Sequence, residues 1–157
     1  MDHVAILRKA SFKKGEHILA DILAGRKTIE SRWYVHKIAP WDRIHSDDTV
    51  YFKESGCPIT AKARVAQVLQ YVDLDQNKVA EIVKKYGKQI DPNISEEEFL
   101  LWIKNHSQKK YCILIFLTDV TKIPPFKIDK TGFGSAAAWL VLWDIKEKLI
   151  TKKKNGT

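Results

Sequence analysis

The stretch GRKTIESRW, residues 25–33, places a glycine, four charged side chains and a tryptophan in nine positions. It follows a segment in which isoleucine and leucine recur at helical spacing, so the sequence predicts a helix over residues 16–24. Gly25 stands where the end of a helix favours a left-handed residue. Residues 27–33 then alternate between polar and apolar or small side chains, which predicts a strand.

On this strand Thr28, Glu30 and Arg32 face one side, and Ile29, Ser31 and Trp33 the other. Glu30 and Arg32 then lie side by side, with their Cα atoms about 7 Å apart, and Lys27 stands at the strand entry. A carboxylate between two cations stays ionised and holds both in place. Such a group would clamp a phosphate or a carbonyl, or favour a neutral Lys27 amine. The alternative is a solvated strand face whose charges merely pair.

The rest of the chain predicts the order strand, helix, strand, strand, strand, two helices, strand, strand. This order is not a regular βαβ repeat, so we predict an α+β fold in which a mixed, strongly curved sheet or small barrel is flanked by helices. Ser95 and Glu98 form a capping box for the second of the paired helices. Gly87 is predicted to end the helix before it. The stretch IPPF, residues 123–126, is predicted to break the strand that precedes it.

Length and composition indicate an ordinary globular protein. The 157 residues, of which 45% are hydrophobic and 29% charged, favour one domain over residues 1–150, followed by a basic tail at 151–157. The sequence shows no apolar run of about 20 residues that would span a bilayer and no secretory signal pattern, so we expect no membrane association. Two cysteines are too few for a disulfide framework. These features predict a cytoplasmic, reduced protein.

The formal charge of +8 suggests a polyanionic partner such as nucleic acid. Half of this excess lies from Lys146 onward, where five lysines stand against one glutamate. A solvated tail and a phosphate-binding arm therefore remain equal alternatives. The five histidines do not cluster, and surface or capping positions are expected for them. No cofactor and no metal site are predicted, and no protein partner is indicated.

The opening stretch resembles the signature of the ASCH domain family, Gly-x-Lys-x-x-Glu-x-Arg, at Gly25, Lys27, Glu30 and Arg32. The strands DDTVYFKESG, ITAKARVAQVL and AAWL also look like that family, and residues 75–107 would form a longer helical insert. The resemblance implies a PUA-like small mixed β-barrel with flanking helices. It also implies a basic cleft that binds RNA, another single-stranded nucleic acid or a modified nucleotide.

Within that resemblance, Gly25, Lys27, Glu30 and Arg32 would line the cleft. Lys53 and Ser55, at a strand end, would meet a phosphate. Trp33 and Trp139 are candidates for stacking on a base. Of the other tryptophans, Trp102 and Trp143 are predicted to lie in the core, and the place of Trp41 is undecided.

One enzymatic branch of the family hydrolyses N4-acetylcytidine with the motif lysine, a threonine three residues later and a distant glutamate. The lysine corresponds to Lys27, whereas Glu30 occupies the threonine position. If the protein is an enzyme acting on such nucleosides or on RNA, Lys27 would act as base or activate the nucleophile, and Glu30 would orient it or relay a proton. The remaining alternative is a non-catalytic interaction domain.

Overall fold

A computed structural model describes residues 1–8, 17–105, 107–134 and 136–150. The elements follow the predicted order, and a single 3₁₀ turn, Ile145–Lys148, comes after the last strand. The strands are β1 (Asp2–Leu7), β2 (Ile29–Tyr34), β3 (Thr49–Glu54), β4 (Ile59–Tyr71), β5 (Tyr111–Phe126) and β6 (Trp139–Leu142). The helices are α1 (Ile18–Leu23), α2 (Gln76–Ile90) and α3 (Glu96–Asn105). None of the helices in these ranges is long and apolar enough to cross a membrane.

The six strands form one curled sheet, a half-barrel, in the order β2-β5-β4-β3-β1-β6. β1 runs parallel to β3, and every other neighbouring pair is antiparallel. Bulges interrupt the register between β4 and β5 at three places, and such bulges bend a strand and increase its twist. With its three helices the architecture confirms the predicted α+β, PUA-like barrel.

Three apolar clusters hold the fold together. The first fills the inside of the half-barrel with residues of five strands and α1, among them Phe52, Val65 and Ile113. The second joins the outer side of β2 and β5 to the buried faces of α2 and α3. The third covers the outer side of β1 and β6 with the 3₁₀ turn. Because side chains alternate along a strand, consecutive residues of one strand serve different clusters.

Two predicted element ends are wrong. α2 does not stop at Gly87 but continues to Ile90, because burial of Ile90 extends the apolar stripe past the glycine. β5 does not end before IPPF but includes it. Its pairing with β4 is already irregular near Ile59 and Ala61, and prolines are tolerated where a strand is bulged and needs few ladder donors.

The tryptophans whose positions the sequence left to the core or undecided differ in burial. Trp143 is 79% exposed rather than in the core, because β6 ends at Leu142 and the chain turns away. Trp41 lies in the inner cluster. Trp102 packs on the cluster beneath α3, as predicted. One half of the predicted capping box is present, since the Ser95 hydroxyl accepts from the Glu98 N–H at 3.1 Å, and the Glu98 carboxylate accepts from the Ser95 hydroxyl, also at 3.1 Å.

We predict opposite stability changes for two glycine-to-alanine substitutions. Gly25 has φ = 75°, so Gly25→Ala should lower the free energy of unfolding by about 1–2 kcal/mol. Gly87 lies inside α2, where an added Cβ would touch Val83 Cγ1 at an ordinary 3.4 Å. Gly87→Ala should therefore raise the free energy of unfolding by about 0.5–1 kcal/mol. Urea denaturation of both variants checks the sign, and a stabilising Gly25→Ala would contradict it.

Candidate functional site

The turn from α1 into β2 sets the direction of the opening stretch. Gly25 adopts the left-handed conformation that the sequence predicted. The backbone N–H groups of Arg26 and Lys27 both donate to the Asp21 carbonyl, at 2.9 and 3.0 Å. The buried Asp21 carboxylate in turn accepts from Arg26 Nε at 2.8 Å and from Asn93 Nδ2 at 2.7 Å. This turn therefore fixes where the Lys27 side chain enters the protein.

Lys27 is buried and anchors two parts of the fold. Its Nζ donates to the Ile29 carbonyl at 2.9 Å and to the Ile90 carbonyl, the last of α2. A helix ends with carbonyls that have no partner within the helix, so the ammonium caps α2 and complements its dipole. The Thr28 N–H donates to the neighbouring Gln89 carbonyl at 3.1 Å. The start of β2 and the end of α2 are thus bound to each other.

Glu30 lies between two cations. Its Oε2 is 3.6 Å from Lys27 Nζ and its Oε1 is 3.1 Å from Arg32 Nε. The residue is only 6% exposed. Among the described residues, none donates a hydrogen bond to Oε2, and the Arg32 Nε–H is not directed at an acceptor either. Buried polar atoms normally have partners, so this pair offers an unused acceptor and an unused donor.

Arg32 spans the two edges of the half-barrel. Its guanidinium carbon lies 5.1 Å from the ring centre of Trp139, which places a cation over an aromatic face. Its Nη1 reaches the Ala138 carbonyl at 3.5 Å, the upper limit for a hydrogen bond. Since Arg32 is on β2 and Trp139 begins β6, the charged residues lie where the curled sheet remains open.

A cleft of about 690 Å³ opens over these residues. Lys27, two residues before β2, and Glu30, Arg32 and Trp33 of β2 line it, together with the turn between α2 and α3. The charged side chains that line it are three cations and four carboxylates: Arg8, Lys27, Arg32, Asp21, Glu30, Asp91 and Glu98. The predicted basic cleft is therefore of mixed charge among the described residues. Lys9, Lys13 and Lys14 lie outside them.

The two candidate stacking residues occupy different places. Trp33 lies on the face of β2 opposite Glu30, lines the cleft, and meets Phe99 and Trp102 edge-on, at 6.2 and 5.7 Å between ring centres. It also lines a second pocket of about 240 Å³. Trp139 is 5% exposed and lies beneath Arg32. Of the two candidates, Trp33 therefore lines the cleft, together with Phe99 and Trp102, whereas Trp139 supports Arg32.

The structure does not bring Lys53 and Ser55 into the cleft. Lys53 is 9% exposed on the outer side of β3, where burial, together with the nearby Lys130 cation, lowers the pKa of its ammonium. Ser55 is exposed in the turn after β3. Glycine is required at position 25 by the left-handed backbone rather than by packing, because φ is 75° and a Cβ added there would meet no described protein atom within 4 Å.

Sequence reasoning missed His3 and Asp48. His3 is fully buried, so a surface position was the wrong prediction for it. Its Nε2 lies 2.9 Å from Asp48 Oδ2, and its Nδ1 is 3.0 Å from Trp139 Nε1. Asp48 is 45 positions from His3 in the sequence, and Trp139 is 136 positions from it. No local pattern in the sequence would therefore have connected the three residues.

Burial and hydrogen bonding oppose each other in this cluster. Burial lowers the pKa of His3, although the hydrogen bond and the charge of Asp48 work in the other direction. Burial alone would raise the pKa of Asp48, but the His3 ring and the His45 backbone N–H lower it below its usual range. In the described part of the chain, no three His, Cys, Asp or Glu side chains are grouped so that they could hold a metal ion.

Comparison with known proteins yields structural likenesses alone. No protein-family model matches the sequence, and no curated protein matches it. An ASCH protein from Zymomonas mobilis, solved as the crystal structure of a point mutant, is 16% identical with a TM-score of 0.63 over 93% of each chain. The structure titled as ASCH from the same organism, also 16% identical, gives 0.61 over 90% of this chain and 87% of that one. The hypothetical protein PH0355, 20% identical, gives 0.51 over 78% of this chain and all of its own.

Proposed function

We propose, from the ASCH-domain fold that this chain has, that the protein binds RNA or a nucleotide by taking one unpaired base into the cleft over β2. The observation that carries the proposal is the state of Glu30, a buried carboxylate that lies between two cations. Its Oε2 atom has no hydrogen-bond donor among the described residues. A ligand that supplies an N–H group there would complete the site.

The Watson–Crick edge of an unpaired base suits this arrangement. Its ring or amino N–H groups match the Glu30 acceptor, and its carbonyl or ring nitrogen matches the Arg32 donor. Trp33, on the other face of β2, also lines the cleft and offers it an aromatic surface, and stacking contributes about 1–3 kcal/mol per base. A volume of about 690 Å³ lies within the range of small-ligand sites. The cleft therefore has room for a sugar and a phosphate beside the base.

The mixed charge of the cleft limits what the phosphate contributes. Binding that depends on neutralised phosphates weakens steeply with salt. Here the lining carboxylates outnumber the lining cations within the described ranges. We therefore infer that contacts to the base dominate over attraction to the backbone.

The contacts of Lys27 favour an anchoring role over a catalytic one. Lys27 Nζ donates to two backbone carbonyls and lies 3.6 Å from Glu30 Oε2, which is an ion pair without a hydrogen bond. A general base needs a free electron pair directed at the proton that it takes, whereas the Lys27 Nζ is engaged with backbone carbonyls of β2 and α2. Binding rather than N4-acetylcytidine or RNA hydrolysis is therefore the function we propose for this site.

Glu30→Gln tests the proposal, because it keeps the shape of the side chain and removes the charge. Since a hydrogen bond to a charged group contributes about 1.5–3 kcal/mol, we expect the affinity for a single-stranded oligoribonucleotide to fall by roughly 10- to 100-fold. Fluorescence anisotropy with labelled oligonucleotides of each of the four bases measures it. Thermal melting establishes that the variant is folded.

Glu97→Gln is the matched control, since Glu97 is an exposed carboxylate of α3 that does not line the cleft. It should bind as the unaltered protein does. Equal affinity of Glu30→Gln and Glu97→Gln would overturn the role of Glu30. A lack of binding to all four oligonucleotides and to the free nucleosides would overturn the proposed function itself.

A further inference from the structure

We propose that His3, which does not touch the cleft, is a positioning residue that holds the Arg32 side of the cleft in place through Trp139. This inference deepens the proposed function and rests on it where ligand binding is concerned. The two steps that carry it are the hydrogen bond from Trp139 to His3 and the stacking of Arg32 on Trp139.

The first step fixes the state of the imidazole. An indole N–H can only donate, so His3 Nδ1, 3.0 Å from Trp139 Nε1, must be the unprotonated acceptor. The ring proton then lies on Nε2, which donates to Asp48 Oδ2 at 2.9 Å. Asp48 is itself held by the His45 backbone N–H at 3.0 Å. His3 is therefore neutral, with a single tautomer compatible with both neighbours.

The second step connects this tautomer to the cleft. Trp139 pairs with Ala5 at the junction of β6 and β1, and its ring lies beneath the Arg32 guanidinium at 5.1 Å. Arg32 in turn lies 3.1 Å from Glu30 Oε1. The Trp139 indole cannot rotate without losing its hydrogen bond to His3. The ring that lies under Arg32 therefore keeps its orientation. The orientation of the Arg32 side chain therefore depends on the neutral tautomer of His3. So does the direction of the Arg32 Nε–H, the donor proposed to bind the ligand.

A protonated His3 would not fit this arrangement. An imidazolium carries a proton on both nitrogens, so its Nδ1–H would face the Trp139 N–H. The charged groups that bear on His3 are the Asp48 and Asp2 carboxylates, which favour protonation, and the Met1 amino group, which opposes it. Burial exceeds their sum and lowers the pKa of His3. The neutral ring thus persists below its ordinary pKa of about 6.5, and the cleft loses its support only in more acidic solution.

Nitrogen NMR of the unliganded protein tests the positioning step without any ligand. The Trp139 indole signal is identified by its absence in Trp139→Phe. We expect its N–H to exchange with water far more slowly than that of the exposed Trp143, and His3 to show an unprotonated Nδ1 at neutral pH. The Arg32 Nε–H signal should shift in both Trp139→Phe and His3→Gln. A protonated Nδ1, fast exchange of Trp139, or an unmoved Arg32 signal would each overturn the inference.

The pH profile of binding then tests the coupling, with a labelled oligouridylate as the probe. Affinity should fall by up to tenfold per pH unit below the pKa of His3, since only the neutral ring supports the cleft. Trp139→Phe keeps a ring under Arg32 but has no N–H to oppose the imidazolium, so its profile should be flat. His17→Asn controls for a second histidine, which lines the cleft, and should retain the slope. An equally steep pH profile in Trp139→Phe would overturn the coupling between His3 and the cleft. If no variant bound the oligouridylate at any pH, the proposed function would be contradicted, and the positioning role of His3 would be decided by the NMR experiment alone.

Discussion

Replacing Lys27 by methionine is expected to lower the free energy of unfolding by about 3–5 kcal/mol, the usual cost of removing one partner of a buried ion pair. Of the two cations that pair with Glu30 among the described residues, Arg32 alone would remain, and the terminal Ile90 carbonyl of α2 would lose its Lys27 donor. For a chain of this length the melting temperature should drop by roughly 6–20 °C. Urea denaturation and calorimetry measure both quantities.

Two further variants separate the ion pair from the general effect of losing a lysine. Lys62→Met changes an exposed lysine of β4 and should alter stability by no more than about 0.5 kcal/mol. The double variant Lys27→Met with Glu30→Gln should recover part of the loss, because it no longer leaves a carboxylate buried beside an apolar side chain. If Lys27→Met were no more harmful than Lys62→Met, Lys27 would not be the anchor between β2 and α2.

Trp33→Ala is expected to have the next largest effect, about 3 kcal/mol of lost stability, at the lower end for a tryptophan because the ring is only partly buried. The ring lies between the cleft and the smaller pocket and packs on Phe99 and Trp102. Its removal would merge the two spaces. Binding of an oligoribonucleotide should weaken as well, by the roughly 1–3 kcal/mol that stacking of one base contributes.

Trp143→Ala is the matched control for this substitution. Trp143 is 79% exposed, so its loss should change stability by less than about 0.5 kcal/mol and leave binding unaltered. Trp33→Phe distinguishes packing from stacking, because it keeps an aromatic face while it reduces the volume. If Trp33→Ala bound the oligonucleotide as tightly as Trp143→Ala does, Trp33 would be a structural residue alone.

Local chemistry in the opening stretch was sufficient to predict the core of the candidate site. A left-handed glycine must follow a short helix, and alternation along a strand must place Glu30 and Arg32 on one face. Both features are decided within nine residues, and the structure has both. The order of elements was predictable for the same reason, since apolar spacing and capping residues act over one or two turns of chain.

Long-range pairing decided what the sequence could not show. The cluster of His3, Asp48 and Trp139 forms because β1 is parallel to β3 and antiparallel to β6. Lys53 faces outward because it follows Phe52, whose side chain lies in the inner cluster. The Ile90 carbonyl that accepts from Lys27 exists as a helix end because α2 passes Gly87. Each outcome depends on partners that are distant in sequence.

The position of β2 in the sheet has a consequence for solubility. Among the strands that the structure describes, β2 is at an edge of the sheet and pairs with β5 alone. An uncovered edge allows a strand of another molecule to pair with it. Short length and inward-pointing charges discourage such pairing, and β2 has six residues with Glu30 and Arg32 turned inward. The two side chains proposed to recognise a base, Glu30 and Arg32, therefore also disfavour edge-to-edge association of the sheet with another molecule. Substitutions at positions 30 and 32 that change the ligand preference are then restricted to polar residues. Two apolar side chains there would allow the edge strands of two molecules to pair.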